Sequence, residues 1–453
     1  MAETTVAAVA TPMGAGGIGV IRISGPKAIE IADRCFFAFS GEPLAVLQGY
    51  SAAYGQVKED GRVLDDAVAL VFRAPKSYTG EDVVELSVHG GRMMVSAVLR
   101  AVYACGALPA AAGEFTKRAF LNGKMDLTDA ESIMGLISAK NEAALRISRA
   151  AHGGRISRET DKIVSLLLQT AASLSAYADY PDEELPELNP ENFSQLLKTV
   201  CETCQKMLST YDAGRLVREG IRCAIVGKPN VGKSTLMNLL CGNNRSIVTD
   251  LAGTTRDVVE ETVTVGDVTL ILADTAGIRE TAEPVERIGV DLALSRAENA
   301  DLVLAVFDGS EPLDADDWRL IERVRGGRTL FVWNKSDLAS LPVPEQLADE
   351  PVLTLSAQTG DGAERLAQKI AETVHTEQLD ADTAVLISER QRACVGRALA
   401  AAEQALAALR SGQTLDAVGV CVDDALAALL ELVGKRVTNE VTDEVFKRFC
   451  VGK

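Results

Sequence analysis

Short apolar runs separated by glycine-rich turns occupy the first 120 residues of the chain. The runs at 19–23, 67–72 and 83–88 have the length and β-branched content of strands, and 93–104 has the spacing of a helix. Glycines lie in the intervals between the runs, as they do in turns. This pattern predicts an α+β domain over residues 1–120.

The spacing of apolar residues becomes helical after residue 120. An acidic segment with prolines, 180–192, interrupts this pattern, which resumes at 193–218 and again, rich in Ala and Leu, at 388–432. Spacing of i, i+3 and i+4 is typical of a helix with one buried face. Between 126 and 178 it is shown by Ile163, Leu166, Leu167, Thr170, Ala171 and Leu174.

Strand and helix patterns alternate from Ile221 to about Thr373, which predicts a parallel sheet with helices on both faces. Insertion of one domain into another is tolerated where the chain ends lie close together. The expected fold class is therefore multidomain α/β and α+β, with an α/β domain inserted into a split all-α domain. The expected boundaries are 1–120 for the N-terminal α+β domain, 121–216 and 377–453 for the two parts of the all-α domain, and 217–376 for the inserted domain.

Length and composition are those of a globular protein of roughly three domains, with 453 residues of which 47% are hydrophobic. No Lys or Arg precedes an apolar run in residues 1–20, and no window offers about 20 uninterrupted apolar residues. We therefore expect neither a secretory signal nor a membrane span, and a cytoplasmic location. Nine scattered cysteines, an odd number, favour free thiols in a reducing compartment.

The net charge of -18 argues against a protein that coats nucleic acid non-specifically, because phosphate binding needs clustered Lys and Arg. Residues 1–120 are nearly balanced, with eleven Lys and Arg against twelve Asp and Glu, so the acidity lies in the later segments. Any contact with RNA must be local or shared with a partner.

A glycine-rich loop joins a predicted strand to a predicted helix. Gly227-Lys-Pro-Asn-Val-Gly-Lys-Ser234 follows the apolar run 221–226 and precedes the helical run 235–240. This is the context of a phosphate-binding loop, in which backbone amides and a helix N-terminus bind phosphates. Lys233 would contact the terminal phosphates, and Ser234 would supply a hydroxyl to Mg²⁺.

Three further motifs follow in the order found in GTPases. Asp274-Thr-Ala-Gly277 follows the predicted strand 269–273, where the carboxylate can hold the metal's water shell and the Gly277 amide can sense the γ-phosphate. Asn334-Lys-Ser-Asp337 follows the apolar strand 330–333, and such a carboxylate accepts from N1–H and the 2-amino group of guanine. Adenine lacks those donors, which disfavours the alternative of an ATP site. Ser356-Ala357-Gln358 completes the base site with a backbone amide.

Hydrolysis needs a positioned water, and Ile278 occupies the place where many small GTPases have a water-orienting glutamine. Asn230 and Gly253-Thr-Thr-Arg-Asp257 resemble the potassium-activated GTPases of the TrmE-Era-EngA-like group, although a turn residue after Pro229 is the alternative for Asn230. The resemblance implies K⁺ held by Asn230 and by carbonyls near Thr249, Leu251 and Thr254, in place of an arginine finger, and Mg²⁺ held by Ser234 and Thr255. The GTP contacts expected are Asn230, Val231, Gly232, Lys233, Ser234, Thr235, Thr249, Asp250, Leu251, Ala252, Gly253, Thr254, Thr255, Asp274, Thr275, Ala276, Gly277, Asn334, Lys335, Asp337, Ser356, Ala357 and Gln358.

Segments outside this core resemble one family along the whole chain. Gly277-Ile-Arg-Glu-Thr-Ala-Glu-Pro-Val-Glu-Arg-Ile-Gly289 is similar to the second switch of the tRNA modification GTPase family MnmE (TrmE). The resemblance implies that Glu286 orients the attacking water, against the alternative of a solvated helix-face carboxylate. Five further segments resemble the same family and occur in the same order: residues 10–25, Ser77-Tyr-Thr-Gly-Glu-Asp82, His89-Gly-Gly91, residues 113–127 and the terminal Phe449-Cys-Val-Gly-Lys453.

The resemblance implies a folate-binding N-terminal domain that dimerises. Arg22, Glu85, Lys124 and Lys453 match residues associated with tetrahydrofolate, and Cys450 would lie near the one-carbon unit. The chemistry suits a pterin, which offers donors to a carboxylate, and a glutamate tail, which attracts cations. Taken without the family, the four charges would be ordinary surface residues and Cys450 a buried terminal thiol.

The resemblance also implies a partner and a reaction. A flavoprotein, MnmG (GidA), would form an α2β2 complex with the homodimer and carry FAD and NADH. Together they would install an aminomethyl or carboxymethylaminomethyl group at C5 of the wobble uridine of certain tRNAs. The carbon would come from 5,10-methylenetetrahydrofolate, or 5-formyltetrahydrofolate, and the amine from glycine or ammonium. The partner would supply the basic surface for tRNA.

Departures from the family pattern concern packing. Ala112 lies where the family usually has Pro, Val451 where Ile is usual, and Lys435-Arg436 alter the approach to the C-terminal helix. Two alternative functions stay open: a ribosome-assembly GTPase without one-carbon chemistry, and a folate-binding regulatory switch. The first would need an RNA-binding appendage, and no KH-like Gly-x-x-Gly loop with basic flanks follows the predicted GTPase domain.

Overall fold

The structure is a computed structural model that describes residues 4–12, 14–139, 141–179, 190–243, 261–266, 268–272, 300–338, 341–374, 384–447 and 449–452. The chain divides into two compact units. The first comprises Met1–Met134, Thr160–Asp179 and Gly419–Lys453, and the second comprises Gly135–Glu159 and Tyr180–Val418. The four-segment division expected from the sequence stays a prediction.

A seven-stranded sheet forms most of the first unit, in the order β3-β4-β5-β6-β2-β1-β7. Its pairs are antiparallel except β1 with β7. Its strands are β1 (Val6–Val9), β2 (Ile18–Ser24), β3 (Phe36–Ala38), β4 (Ser51–Glu59), β5 (Arg62–Phe72), β6 (Val83–His89) and β7 (Leu108–Pro109). The three predicted strands are confirmed as β2, β5 and β6, and the predicted helix is confirmed as the helix Arg92–Ala104.

Alternation along the strands explains which face is covered. Ala67, Ala69 and Val71 are buried on β5, whereas Val68 between them is 38% exposed. The buried face packs against α1 (Ala28–Cys35) and α2 (Arg92–Ala104). The outward face keeps several apolar side chains in contact with solvent.

The predicted helical stretch 126–178 is three helices, α4 (Leu127–Ser138), α5 (Glu142–His152) and α6 (Arg155–Asp179). Asn141 caps α5, since its side chain accepts from the Ala144 amide at 2.7 Å. Gly154, with φ of 67°, allows the turn between α5 and α6. Asn141 and the Gly153-Gly154 pair are signals of these breaks in the sequence, which the prediction of one helical stretch did not use.

The remaining helices are α3 (Glu114–Leu121), α7 (Pro190–Ser209), α8 (Tyr211–Glu219), α9 (Lys233–Asn243), α10 (Ala315–Val324), α11 (Ala363–Thr373), α12 (Glu389–Arg410), α13 (Leu415–Val433) and α14 (Asn439–Lys447). Two single 3₁₀ turns lie at Leu44–Val46 and Glu345–Leu347. The predicted stretch 388–432 is helical but breaks between α12 and α13, where Gly412 has φ of 70°. Within the described ranges, no helix is both long enough and apolar enough to cross a membrane.

The second unit contains the predicted parallel sheet. Its order is β13-β12-β11-β8-β10-β9, and only the β9–β10 pair is antiparallel. The strands are β8 (Ile221–Val226), β9 (Glu261–Val265), β10 (Val268–Leu272), β11 (Leu302–Asp308), β12 (Thr329–Asn334) and β13 (Val352–Thr354). The expected α/β fold class is confirmed.

Strand β11 shows why both sheet faces must be covered. Leu302, Leu304 and Val306 belong to one buried cluster, and Val303, Ala305 and Phe307 belong to the cluster on the opposite face. A strand without a polar face is stable only between two layers. The loops at the carboxyl ends of β8, β11, β12 and β13 therefore form one edge where polar groups can collect.

Candidate functional site

The glycine-rich loop lies between β8 and α9, as the sequence predicts. Two of its glycines are required by space as well as by backbone angle. A Cβ on Gly227 (φ 150°) would lie 2.3 Å from the Val306 carbonyl oxygen, and one on Gly232 (φ 99°) 2.2 Å from Nδ2 of Asn334. The loop is thus packed against the ends of β11 and β12.

Lys233 points back into this loop from the first turn of α9. Its ammonium donates to the carbonyls of Gly227 at 2.8 Å and Lys228 at 2.5 Å. Burial lowers the pKa of Lys233, because it penalises the charged form. Asn230, with φ of 64°, and Ser234 are exposed on the loop and on the helix start. The loop therefore has a central cation, free hydroxyl and amide oxygens, and a helix N-terminus, which suits a phosphate and its metal.

Lys228 links the glycine-rich loop to the start of α10. Its ammonium forms ion pairs with Asp314 and, at 2.8 Å, with Asp317, the two residues of the capping box of α10. The Lys228 ammonium lowers the pKa of Asp314 to about 2. This brace was missed by the sequence reasoning, since nothing in the spacing links residue 228 to residues 314–317.

The predicted base-recognition loop is connected directly to the phosphate loop. Asn334 is buried, donates through Nδ2 to the Val231 carbonyl at 2.8 Å, and accepts at Oδ1 from the Ala357 amide at 2.9 Å. One amide side chain thus joins three of the four predicted motifs. Lys335 pairs with Asp308 at 2.5 Å. Burial opposes ionisation of Asp308, but hydrogen bonds from Lys335 and Ser310 lower its pKa on balance.

The recognition carboxylate itself faces solvent. Asp337 is exposed, and its Oδ1 accepts from the Ser356 hydroxyl at 2.6 Å. Ser356 is buried and also accepts from the Thr359 amide, while Gln358 is exposed. Asp337 is therefore held by one oxygen while the other is free for a donor pair on a ligand.

Several predicted site residues lie outside the described residues. They are Thr249, Asp250, Leu251, Ala252, Gly253, Thr254, Thr255, Asp274, Thr275, Ala276, Gly277, Ile278, Glu286 and Lys453. Their roles toward Mg²⁺, K⁺, the attacking water and folate stay predictions.

A second cluster of polar groups lies on the sheet of the first unit. Arg22 on β2 and Glu85 on β6 are cross-strand partners, joined by Nε–Oε1 and Nη2–Oε1 contacts of 2.8 and 2.7 Å. The guanidinium lies 5.3 Å from the Tyr78 ring centroid and 5.5 Å from that of Phe115. Its Nη1 is buried and has no hydrogen-bond partner in the part of the chain that the structure describes. Such a donor is costly unless a ligand accepts from it, so this cluster fits a polar, planar group.

Lys124 contacts the backbone a few residues before Tyr78. Its ammonium donates to the Pro75 carbonyl at 3.0 Å, so it contacts the segment that leads to Tyr78. Tyr78 donates or accepts with the Thr116 hydroxyl at 2.9 Å, and burial raises its pKa. Tyr78 and Phe115 were missed as site residues, although both belong to motifs that carried the family resemblance.

The C-terminal segment lies against the first strand. Gly113 donates to the Cys450 carbonyl at 3.3 Å, Ala112 and Val451 form an antiparallel bridge, and a Cβ on Gly452 would lie 2.1 Å from the Val9 carbonyl oxygen. The two positions noted as departures from the family therefore face each other. The Cys450 residue is exposed, so the alternative of a buried terminal thiol is wrong.

A glycine-rich strand-loop-helix unit, a parallel sheet and a buried asparagine joining phosphate loop to base loop define a P-loop GTPase. The chain matches two family models, "GTP-binding protein TrmE N-terminus" over residues 5–124 and "MnmE helical domain" over residues 127–450. The chain belongs to the MnmE family.

Relatives match over nearly their whole length. "tRNA modification GTPase MnmE" of Geobacter sulfurreducens is 40% identical over 100% of this chain and 99% of its own. The protein of that name in Geobacillus kaustophilus is also 40% identical, over 99% of each chain. A solved G domain of the T. maritima FeoB iron transporter aligns with 34% of this chain and 98% of its own, at 27% identity and a TM-score of 0.25. The family assignment rests on the full-length relatives.

Proposed function

We propose that this protein hydrolyses GTP in order to modify the wobble uridine, position 34, of certain tRNAs at C5. The observation that carries the proposal is Asn334, which joins the phosphate loop to the base loop in a chain that is 40% identical, end to end, to tRNA modification GTPases. A protein that binds one nucleotide through both its phosphates and its base needs these loops in fixed relation.

For hydrolysis, Lys233 binds the terminal phosphates, and Ser234 with Thr255 holds Mg²⁺. Asn230 and the carbonyls of Thr249, Leu251 and Thr254 hold K⁺, which supplies positive charge to the transferring phosphoryl group. Asp274 holds the metal's water shell, the Gly277 amide contacts the γ-phosphate, and Glu286 positions the water. Support comes from the exposed, positive-φ geometry of Asn230 and the exposed Ser234.

For the carbon donor, the first unit binds 5,10-methylenetetrahydrofolate or 5-formyltetrahydrofolate. The buried Nη1 of Arg22 supports this, because it needs an acceptor, and Glu85 provides the carboxylate for pterin donors. Lys124 and Lys453 attract the glutamate tail, and Cys450 lies close to the one-carbon unit. When bound, the folate supplies that unit, and the protein's residues orient it.

The assembly is a homodimer that joins a flavoprotein of the MnmG (GidA) type, which carries FAD and NADH, in an α2β2 complex in the cytoplasm. Apolar side chains on the outward face of the first sheet support dimerisation: Phe39 and Tyr54 are 57% and 58% exposed and stack edge to face at 5.0 Å, and Val68 is opposite Tyr54. An exposed aromatic cluster of this kind is typical of an interface.

The test is nucleoside mass spectrometry of tRNA from a deletion strain. We expect an unmodified wobble uridine there, restoration by the wild-type gene, and no restoration by Arg22→Gln or Lys233→Ala.

Purified protein should hydrolyse GTP faster in K⁺ than in Na⁺, and Asn230→Ala should remove that difference. An intact modification profile in the deletion strain would overturn the proposal, and equal rates in the two salts would overturn the potassium part.

A further inference from the structure

An arginine-rich stretch without acidic residues lies at the junction of α5 and α6. Residues 146–158 contain the tetrad Arg-Ile-Ser-Arg twice, at 146–149 and at 155–158, and hold four arginines and no Asp or Glu. The chain as a whole has 64 acidic residues in 453, about one in seven. Thirteen consecutive residues free of them, with four arginines, stand out against the net charge of -18.

Helical geometry turns Arg146, Arg149 and Arg158 toward solvent, whereas Arg155 is partly buried. Ile147 and Ile156 are buried, at 7% and 0% exposure, and Ile147 packs with Val217 and Val385. Because each Ile faces inward, the arginines one residue before and two after it project from the flanks of that face. Arg149 and Arg158 are exposed.

The second tetrad lines a concavity. Arg155 and Arg158 on α6 and Thr203 and Lys206 on α7 border a space of about 560 Å³. Met207, Ala384 and Glu159 complete the lining, so three cationic side chains face a single carboxylate. The Thr203 hydroxyl donates to the Thr199 carbonyl at 2.8 Å, so the ligand contacts in this space are left to the cations.

Two of the cations that line this concavity, Arg158 and Lys206, differ from other cations of the same unit. Arg215 pairs with Asp301 at 2.6 Å, and Arg325 pairs with Glu350 at 2.6 Å. By contrast, Arg158 and Lys206 have no ion pair with any residue that the structure describes. Desolvated or clustered cations of this kind gain most from a ligand that carries several negative charges.

We propose that this surface, formed by Arg155, Arg158 and Lys206, binds the phosphate backbone of the tRNA substrate. The inference rests on the proposed function and specifies where this chain contacts that substrate. Arginine and lysine bind phosphate oxygens through charge-assisted hydrogen bonds. Charges beyond about 8 Å are largely screened at physiological ionic strength, so the protein's overall acidity does not cancel a local basic concavity.

The surface also changes the expectation about the partner. From the net charge we expected any contact with RNA to be local or shared, and the family resemblance implied that the partner supplies the basic surface for tRNA. With this concavity, both proteins of the complex would contact the RNA, and this chain would contribute a part of the binding that depends on salt but not on sequence.

The test is the salt dependence of tRNA binding by the full-length protein. The probe is a transcript of a tRNA with a wobble uridine, with affinity measured by fluorescence anisotropy from about 50 to 200 mM KCl. For Arg158→Gln/Lys206→Gln we expect a Kd roughly tenfold higher at about 100 mM salt and a slope of log K against log salt that is lower by about 1.5, since each lost phosphate contact removes about 0.7 to 0.9. GTP hydrolysis without tRNA should equal that of the wild type, which shows that the variant is folded.

Two control proteins isolate the effect of position. Arg319→Gln/Arg323→Gln removes the same charge from exposed residues of α10 and should bind as the wild type does. Arg158→Lys/Lys206→Arg keeps the charge and should retain the salt slope. The inference is wrong if Arg158→Gln/Lys206→Gln has the Kd and slope of the α10 control, or loses affinity for the flavoprotein while its tRNA slope is unchanged. If the wild-type gene restores wobble modification in the deletion strain and the double variant binds tRNA as the wild type does, this inference alone is overturned. If the wild-type gene does not restore the modification, the proposed function is overturned.

Discussion

Asn334 and Asp337 differ in what their side chains contact. The Asn334 amide forms hydrogen bonds with the backbone of two other loops, so its contribution is to fix the shape of the pocket. Asp337, three residues later, is exposed and keeps one carboxylate oxygen free. We therefore expect recognition of the base to depend on Asp337, and the placement of Asp337 to depend on Asn334.

Asp337→Asn should change the preferred base. An asparagine offers an amide donor where guanine presents its 2-amino donor, whereas xanthine presents a carbonyl oxygen there. Loss of a charge-assisted hydrogen bond and creation of a donor–donor clash should raise the KM for GTP by roughly 10- to 100-fold and favour XTP. Hydrolysis rates with both nucleotides check this, with the exposed Asp361→Asn as the control of equal charge. An unchanged GTP to XTP ratio in Asp337→Asn would show that another group selects the base.

At the scale of elements, the phosphate loop is held by its neighbours on both sides. Gly232 packs on the end of β12 through Asn334, and Lys228 is paired with the start of α10. The capping box of α10 uses Asp314 and Asp317 both for backbone amides and for Lys228. The N-terminus of α10 is therefore part of the support of the phosphate loop.

Lys228→Met should destabilise the second unit in a way that depends on pH. Asp317 is buried, and loss of its counter-ion should cost about 1–3 kcal/mol at neutral pH. The pKa of Asp314 is lowered to about 2 in the folded protein, so its stabilising contribution is present above about pH 4 and is lost as the pH falls through about 2. The difference between wild type and variant should shrink over that range.

Urea unfolding, followed by tryptophan fluorescence at several pH values, measures this difference. Both tryptophans of the chain, Trp318 and Trp333, lie in one apolar cluster beside the sheet of the second unit. Arg319→Met, which removes the exposed pair with Asp316, should change stability by less than about 1 kcal/mol at any of these pH values. If the stability difference between the wild type and Lys228→Met does not vary with pH, the ion pairs with Asp314 and Asp317 do not account for it.

At the scale of the molecule, the two ends of the chain meet. Residues 449–452 lie beside Ala112, Gly113 and the end of β1, within the same unit as the paired Arg22 and Glu85. The GTPase sheet belongs to the other unit, between these two parts of the chain in sequence. Residues 449–452 thus lie against the N-terminal sheet.

Gly452→Ala should displace the C-terminal segment and leave the GTPase sheet unaffected. A Cβ would lie 2.1 Å from the Val9 carbonyl oxygen, and φ is 97°, so no small shift removes the clash. We expect weaker binding of 5-formyltetrahydrofolate by roughly tenfold or more, because Lys453 and Cys450 move with this segment, while GTP hydrolysis is retained. One displaced charge-assisted contact corresponds to about that factor.

Isothermal titration with folate and a GTPase assay on the same preparation separate the two effects. Gly412→Ala is the matched control, since Gly412 also has positive φ, at 70°, but an added Cβ has nothing within 4 Å. That variant should bear backbone strain without losing folate. Equal folate affinity in Gly452→Ala and Gly412→Ala would place the folate site away from the C-terminus.

The sequence by itself determined the class of each domain and the chemistry of the nucleotide site. Three features of the sequence are local: the apolar periodicity, the strand-loop-helix context of residues 227–234 and the Asn334/Asp337 spacing. Local features can be recognised from the order of the residues alone. Only the tertiary structure decided what is close to what: Asn334 beside Val231 and Ala357, Lys228 beside Asp317, and Arg158 beside Lys206. These pairs are between 23 and 103 residues apart and are brought together by strand order and helix packing. No spacing rule records such contacts, because they depend on how whole elements pack.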